Sequence, residues 1–95
     1  MNMLELLNHS MLVAGVFDVP LSDIKTQDNC LRFRFNGNKI SLYLGLAKIY
    51  EDSSHYEMVV YYDLEGIRHK ECIGTDTLLN LKLRCLAFVP DNSKD

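Results

Sequence analysis

Cysteine is scarce in this 95-residue chain: Cys30, Cys72 and Cys85 are odd in number, unrelated in spacing and form no CxxC pair. A disulfide framework does not fit that pattern, and a reducing compartment does. Basic residues are missing before Lys25, and the apolar run from Met11 to Phe17 is short and interrupted by Gly15. A secretory signal needs a basic flank, and a spanning helix needs about 20 apolar residues, so neither fits. A cytoplasmic location without membrane contact is the expectation. No phosphate-cradling glycine loop, GxSxG turn, internal repeat or low-complexity tract is present.

Candidate catalytic groups are equally sparse. His69 and Cys72 are three apart, so in a strand they point to opposite faces and cannot act as base and nucleophile. His55 falls at a turn beside Tyr50 and Tyr56, neither of which would orient a catalytic imidazole. Cys30, Cys72, Cys85 and His69 match no zinc spacing. No catalytic residue, metal ligand or cofactor is therefore assigned, and a non-enzymatic protein is expected. The net charge of −3 argues against a nucleic-acid binder held by bulk charge, and it is too small for a mimic of DNA.

The alternation of apolar and polar residues between about 30 and 73 is what the chain does contain. It predicts an antiparallel three-stranded meander. Asn36-Gly37, between Leu31–Phe35 and Lys39–Tyr43, is a strong signal for a two-residue type I′ turn. With Phe35 opposite Asn38, Phe33 would face Ile40 and Leu31 would face Leu42. A turn over Glu51–Ser54, with Tyr50 opposite His55, would set Lys48 against Glu57, Leu46 against Val59 and Leu44 against Tyr61. A further turn at Asp63–Gly66 would set Tyr61 against His69. Gly45 is a candidate bulge.

Helices flank the meander. Residues 3–14 read as a helix, with Asn2 and Glu5 forming a capping box and Gly15 as the stop. Leu4, Leu7, Met11 and Ala14 form its expected core face, leaving His9 in solvent. Residues 16–29 form either a wrap with a short helical turn near Leu21–Lys25 or a functional loop. The element over 76–89 alternates like a fourth strand, but its Leu, Lys and Arg content, a cap at Thr75 or Asp76 and the following Pro90 favour a helix. The fold class is thus α+β, a single domain over 1–95 with 91–95 as a disordered tail. The order of elements, a leading helix and then a meander in a short acidic chain, is similar to the front half of type III secretion chaperones. That likeness is one of outline and implies nothing about individual residues.

These registers put Arg32, Arg34, Lys39, Tyr43, Val60, Tyr62, Arg68 and Lys70 on one sheet face, with Glu57 and Glu71 opposite. Two functions follow. The first is a protein-interaction module of adaptor, chaperone-like or inhibitor type. It would bind a protein partner, or a second copy of itself as a homodimer, through Arg32, Arg34, Tyr43, Val60 and Tyr62 or through the edge of the first strand. The alternative is single-stranded nucleic-acid binding through Arg32, Arg34, Lys39, Arg68 and Lys70, cations tracking phosphates while tyrosines stack on bases.

Overall fold

The computed structural model describes residues 2–48 and 54–90. It is an α+β fold: helix α1 (Met3–Phe17), a 3₁₀ turn at Leu21–Asp23, strands β1 (Lys25–Gln27), β2 (Cys30–Asn36), β3 (Ser41–Lys48), β4 (His55–Leu64) and β5 (Ile67–Thr77), then helix α2 (Leu78–Leu86). The sheet is antiparallel throughout in the order β1-β2-β3-β4-β5, so five strands replace the expected three.

Helix α1 starts as its sequence dictates. Asn2 Oδ1 accepts from the Glu5 backbone at 2.8 Å, and Glu5 Oε1 accepts from the Asn2 backbone at 3.3 Å. Two otherwise unpaired amide groups at the helix start are thereby satisfied. Gly15 does not stop the helix. It continues to Phe17 and ends at Asp18, left-handed at φ 57. The extra turn brings Phe17 edge-on to Phe33 and Phe35, at centroid distances of 5.1 and 5.3 Å. This anchor rotates the helix, so that Ser10, Val13 and Phe17 are buried while Leu4, Leu7 and Met11 face outward. The Ser10 hydroxyl donates to the Leu6 carbonyl at 2.8 Å, which removes the penalty for burying it. The expected core face of α1 is therefore its outer face.

The 16–29 connection contains the 3₁₀ turn and the short strand β1, which covers the edge of β2. Its hairpin turn is Asp28-Asn29, with φ of 53 and 62. Lys25, Thr26 and Gln27 are all exposed and carry no apolar alternation, so the pattern was silent there.

The Asn36-Gly37 hairpin differs from expectation. Asn36 pairs with Ser41 across a four-residue loop, Gly37 to Ile40, closed by a 3.0 Å bond from the Gly37 amide to the Ile40 carbonyl. The end of α2 sits on this loop. The Asn38 amide donates to the Leu86 carbonyl, and a Cβ on Gly37 would lie 2.8 Å from the Cys85 carbonyl oxygen. Glycine serves close approach here rather than positive φ. Phe33 pairs with Leu44 and Leu31 with Leu46, a shift of four positions along β3 that, being even, preserves which side chains face the core.

Between β3 and β4 the shift is a single residue, and its effect is larger. Leu46 pairs with Met58, Leu44 with Val60 and Tyr43 with Tyr61. The whole of β4 is turned over relative to the expected pairing. Tyr56, Met58, Val60 and Tyr62 all become core residues, a larger apolar set than Val59 and Tyr61 would provide. Lys48 faces Tyr56 and Glu57 faces Ala47, so Lys48 and Glu57 are not opposite one another in the ladder. The expected turn residues Glu51, Asp52 and Ser53, and the Tyr50–His55 pair, lie outside the described residues, as does the 91–95 tail.

Strands β4 and β5 are joined by Glu65-Gly66, with φ of 52 and 80, closed by the Leu64–Ile67 pair. Positive φ at both central positions is the two-residue geometry expected at Asn36-Gly37. Tyr62, not Tyr61, faces His69. Gly45 sits in an unbroken ladder. The bulge lies on β5, where Val59 pairs with Cys72 and Met58 with Gly74. Thr77 caps α2, settling the last element as a helix. Both helices cover one face of the sheet: Cys85 Sγ approaches Met58 Sδ at 3.3 Å, and Phe88 packs on Tyr62. Among the described residues no helix is long and apolar enough to cross a membrane.

Candidate functional site: an open sheet face and an apolar helix face

The helices leave the second face of the sheet open. Alternation along each strand and the observed pairings place several cross-strand rows on it, among them Cys30–Ala47–Glu57–Thr75. The central row runs Arg34–Tyr43–Tyr61–Lys70, two rings flanked by a cation at each end. One row over lie Lys25, Arg32, Gly45, Val59 and Cys72. On the other side Asp63 pairs with Arg68. Arg34, Lys25, Lys70, Asp63 and Arg68 are exposed, and Arg32, Tyr43, Val59 and Tyr61 are half-buried.

Contacts within the face hold the rings in place. Tyr43 and Tyr61 stand 6.3 Å apart between centroids at a 53° tilt, and Lys70 Nζ lies 5.8 Å from the Tyr61 centroid. The hydrogen bond that the Arg32 guanidinium donates to the Tyr61 side-chain oxygen raises the Arg32 pKa above its ordinary range, and burial opposes this. Arg32 Nε is buried without a hydrogen-bond partner. Gly45 lies beneath these groups: a Cβ there would sit 3.1 Å from Val59 Cγ2 and 3.7 Å from Tyr61 Cε1. Arg68 Nε bonds Asp63 Oδ1 at 2.7 Å, and that bond holds the Asp63 carboxyl below the usual carboxylate range. A cleft of about 160 Å³ opens between Arg34, Tyr43, Tyr61 and Arg68.

Of the residues expected on this face, Arg32, Arg34, Tyr43, Arg68 and Lys70 are brought together. Val60 and Tyr62 are not, because the β3–β4 register turns them to the core. There the Tyr62 hydroxyl donates to Glu71 Oε2 at 2.5 Å, and its ring stacks on His69 at 5.2 Å. Lys39 lies in the 37–40 loop beyond the strand rows. Glu71 is on the helix-covered side as expected, whereas Glu57 is on the open one. Lys25 and Tyr61 belong to the face and were missed. The period-two set Tyr56, Met58, Val60, Tyr62 was the signal that could have found Tyr61.

The second candidate surface is the outer side of α1. Met3, Leu4, Leu7, Met11 and Leu12 are 85, 66, 50, 56 and 55% exposed, and Leu4, Leu7 and Met11 follow helical spacing along one stripe. Beside it, a groove of about 500 Å³ runs between α1 and the 21–26 segment, lined by Met3, Leu6, Leu7, Leu21 and Ile24. On the far side of the helix, His9 is half-buried rather than free in solvent, hydrogen-bonded through Nδ1 to the Tyr56 hydroxyl.

The cysteines are dispersed: Cys72 exposed on the open face, Cys30 half-buried, Cys85 in the core. Among the described residues no three His, Cys, Asp or Glu side chains lie close enough to hold a metal ion. His69 and Cys72 occupy opposite faces of β5. Comparison with protein-family models, curated proteins and solved structures finds no match to this chain. What fold and surfaces define is a small α+β domain with one sheet face roofed by two helices, the other open, and an apolar stripe on its first helix.

Proposed function

We propose that the chain is a non-enzymatic protein-interaction module that associates through the outer face of α1, with a second copy of itself as the partner. The observation that carries this reading is the Leu4–Leu7–Met11 stripe, extended by Met3 and Leu12 on a helix whose other side is already packed. A contiguous exposed apolar surface of this kind marks an interaction site in a small domain. The only charged residue between Met3 and Phe17 is Glu5, so the stripe offers no charge pattern for a charged partner to complement. Its spacing suits another helix. Antiparallel packing about Leu7 sets Leu4 of one copy against Met11 of the other, which is the self-complementary arrangement a two-fold dimer requires.

Val60 and Tyr62, the expected apolar part of the sheet face, are buried in the core, which leaves α1 as the exposed apolar surface. Solution mass by light scattering across a concentration series tests it. The wild-type chain is expected to dimerise, and Leu7→Glu, at an exposed position, is expected to give a folded monomer. A wild-type monomer at high micromolar concentration, or a dimer indifferent to Leu7→Glu and Met11→Glu, overturns the reading.

A further inference from the structure

We propose that the open face of the sheet is a docking surface for single-stranded nucleic acid, independent of association through α1. The first argument is charge complementarity. Lys25, Arg32, Arg34, Arg68 and Lys70 are half of the chain's 10 Lys and Arg, yet among the described residues only Glu57 and Asp63 of the carboxylates share the face. The described residues thus gather cations on one surface and leave their remainder net acidic. Such segregation steers a polyanion to that surface and away from the others. Asp63 is ion-paired with Arg68 and its charge also acts on Arg34, but five cations against two carboxylates leave the face net positive.

The second argument is the position of the rings. Tyr43 and Tyr61 occupy the middle of the central row, with Arg34 at one end and Lys70 at the other. Three inter-strand steps of about 4.8 Å separate the two cations, so the row spans roughly 14 Å. Unpaired bases can stack on the rings while the flanking cations contact the backbone, the combination by which sheet surfaces hold single strands. A duplex hides its base faces and offers the tyrosines nothing. A polyanion without aromatic groups, such as heparin, would use the cations and leave the rings idle. The rings therefore select single strands over other polyanions.

The test is fluorescence anisotropy with a labelled oligouridylate of about 12 nucleotides, within the range a single small domain covers, with heparin and a short duplex as further probes. Binding is expected at low salt, weakening on a log–log plot with a slope of about −0.7 per phosphate contacted. Arg34→Glu combined with Lys70→Glu, both at exposed positions, is expected to abolish binding with the circular dichroism unchanged. Tyr43→Ala is expected to weaken oligonucleotide binding roughly tenfold through lost stacking and to leave heparin binding unaltered. Leu7→Glu is expected to change oligonucleotide affinity little, which separates this surface from the one on α1. Absence of binding at low salt overturns the proposal, as does binding unaffected by the double charge reversal. So does equal affinity for heparin or duplex with no effect of Tyr43→Ala, which would make the face a general polyanion or acidic-protein surface.

Discussion

His9 on α1 and Tyr56 on β4 meet across the helix–sheet interface, hydrogen-bonded through Nδ1 and the hydroxyl, with their rings edge to face at 5.4 Å. Burial lowers the His9 pKa below its ordinary 6.5, the Lys48 charge lowers it further, and Glu5 works in the opposite sense. The folded state thus disfavours the imidazolium, and below pH 6.5 the unfolded chain binds more protons. The contribution to stability is complete above 6.5 and is lost as pH falls through the folded value. Urea midpoints should decline between about pH 7 and pH 5, and His9→Gln should flatten that part of the profile. An unchanged slope in the variant would show that His9 is not the group responsible.

Neighbouring valines on β4 should respond differently to the same truncation. Val60 is fully buried opposite Leu44, whereas Val59 lies on the open face beside Gly45. Val60→Ala is expected to cost about 2 kcal/mol, and Val59→Ala no more than about 0.5 kcal/mol. Denaturant unfolding of the two variants checks the β3–β4 register directly, because a one-residue slip would reverse their order.

The Glu65-Gly66 turn carries an avoidable cost. Glu65 holds φ 52 without the local side-chain bonding that lets asparagine occupy this region readily. Glu65→Asn should therefore stabilise the protein by up to about 1 kcal/mol, and Gly66→Ala, at φ 80, should destabilise it by about 1–2 kcal/mol. Thermal melts of both variants test the assignment.

Thiol reactivity should rank the cysteines by burial. Cys72 is exposed, whereas Cys85 is buried against Met58 and burial raises its pKa to about 12. A thiolate-specific reagent at neutral pH should modify Cys72 first and Cys85 only when the chain unfolds. Mass spectrometry of partly labelled native protein reads the order; early labelling of Cys85 would contradict the packing of α2 on the sheet.

By itself the sequence determined what neighbouring residues settle among themselves. The Asn2–Glu5 capping box forms as expected because its partners lie three positions apart on one turn of helix. Alternation placed Leu31, Phe33 and Phe35 against the core and Arg32 and Arg34 away from it, since successive side chains of a strand must face opposite ways. Tertiary structure decided the rest. Helix α1 carries apolar residues on more than one side, and the docking of Phe17 between Phe33 and Phe35 chose which side is buried. The Asn36-Gly37 signal yielded to the end of α2, whose Cys85 and Leu86 carbonyls occupy the space beside the loop. Strand β4 has aromatic or aliphatic residues at both parities, so only the summed burial beneath the two helices could select Met58, Val60 and Tyr62 for the core. That selection put Tyr61 beside Tyr43 on the open face, because a one-residue change of register exchanges the two sides of a strand.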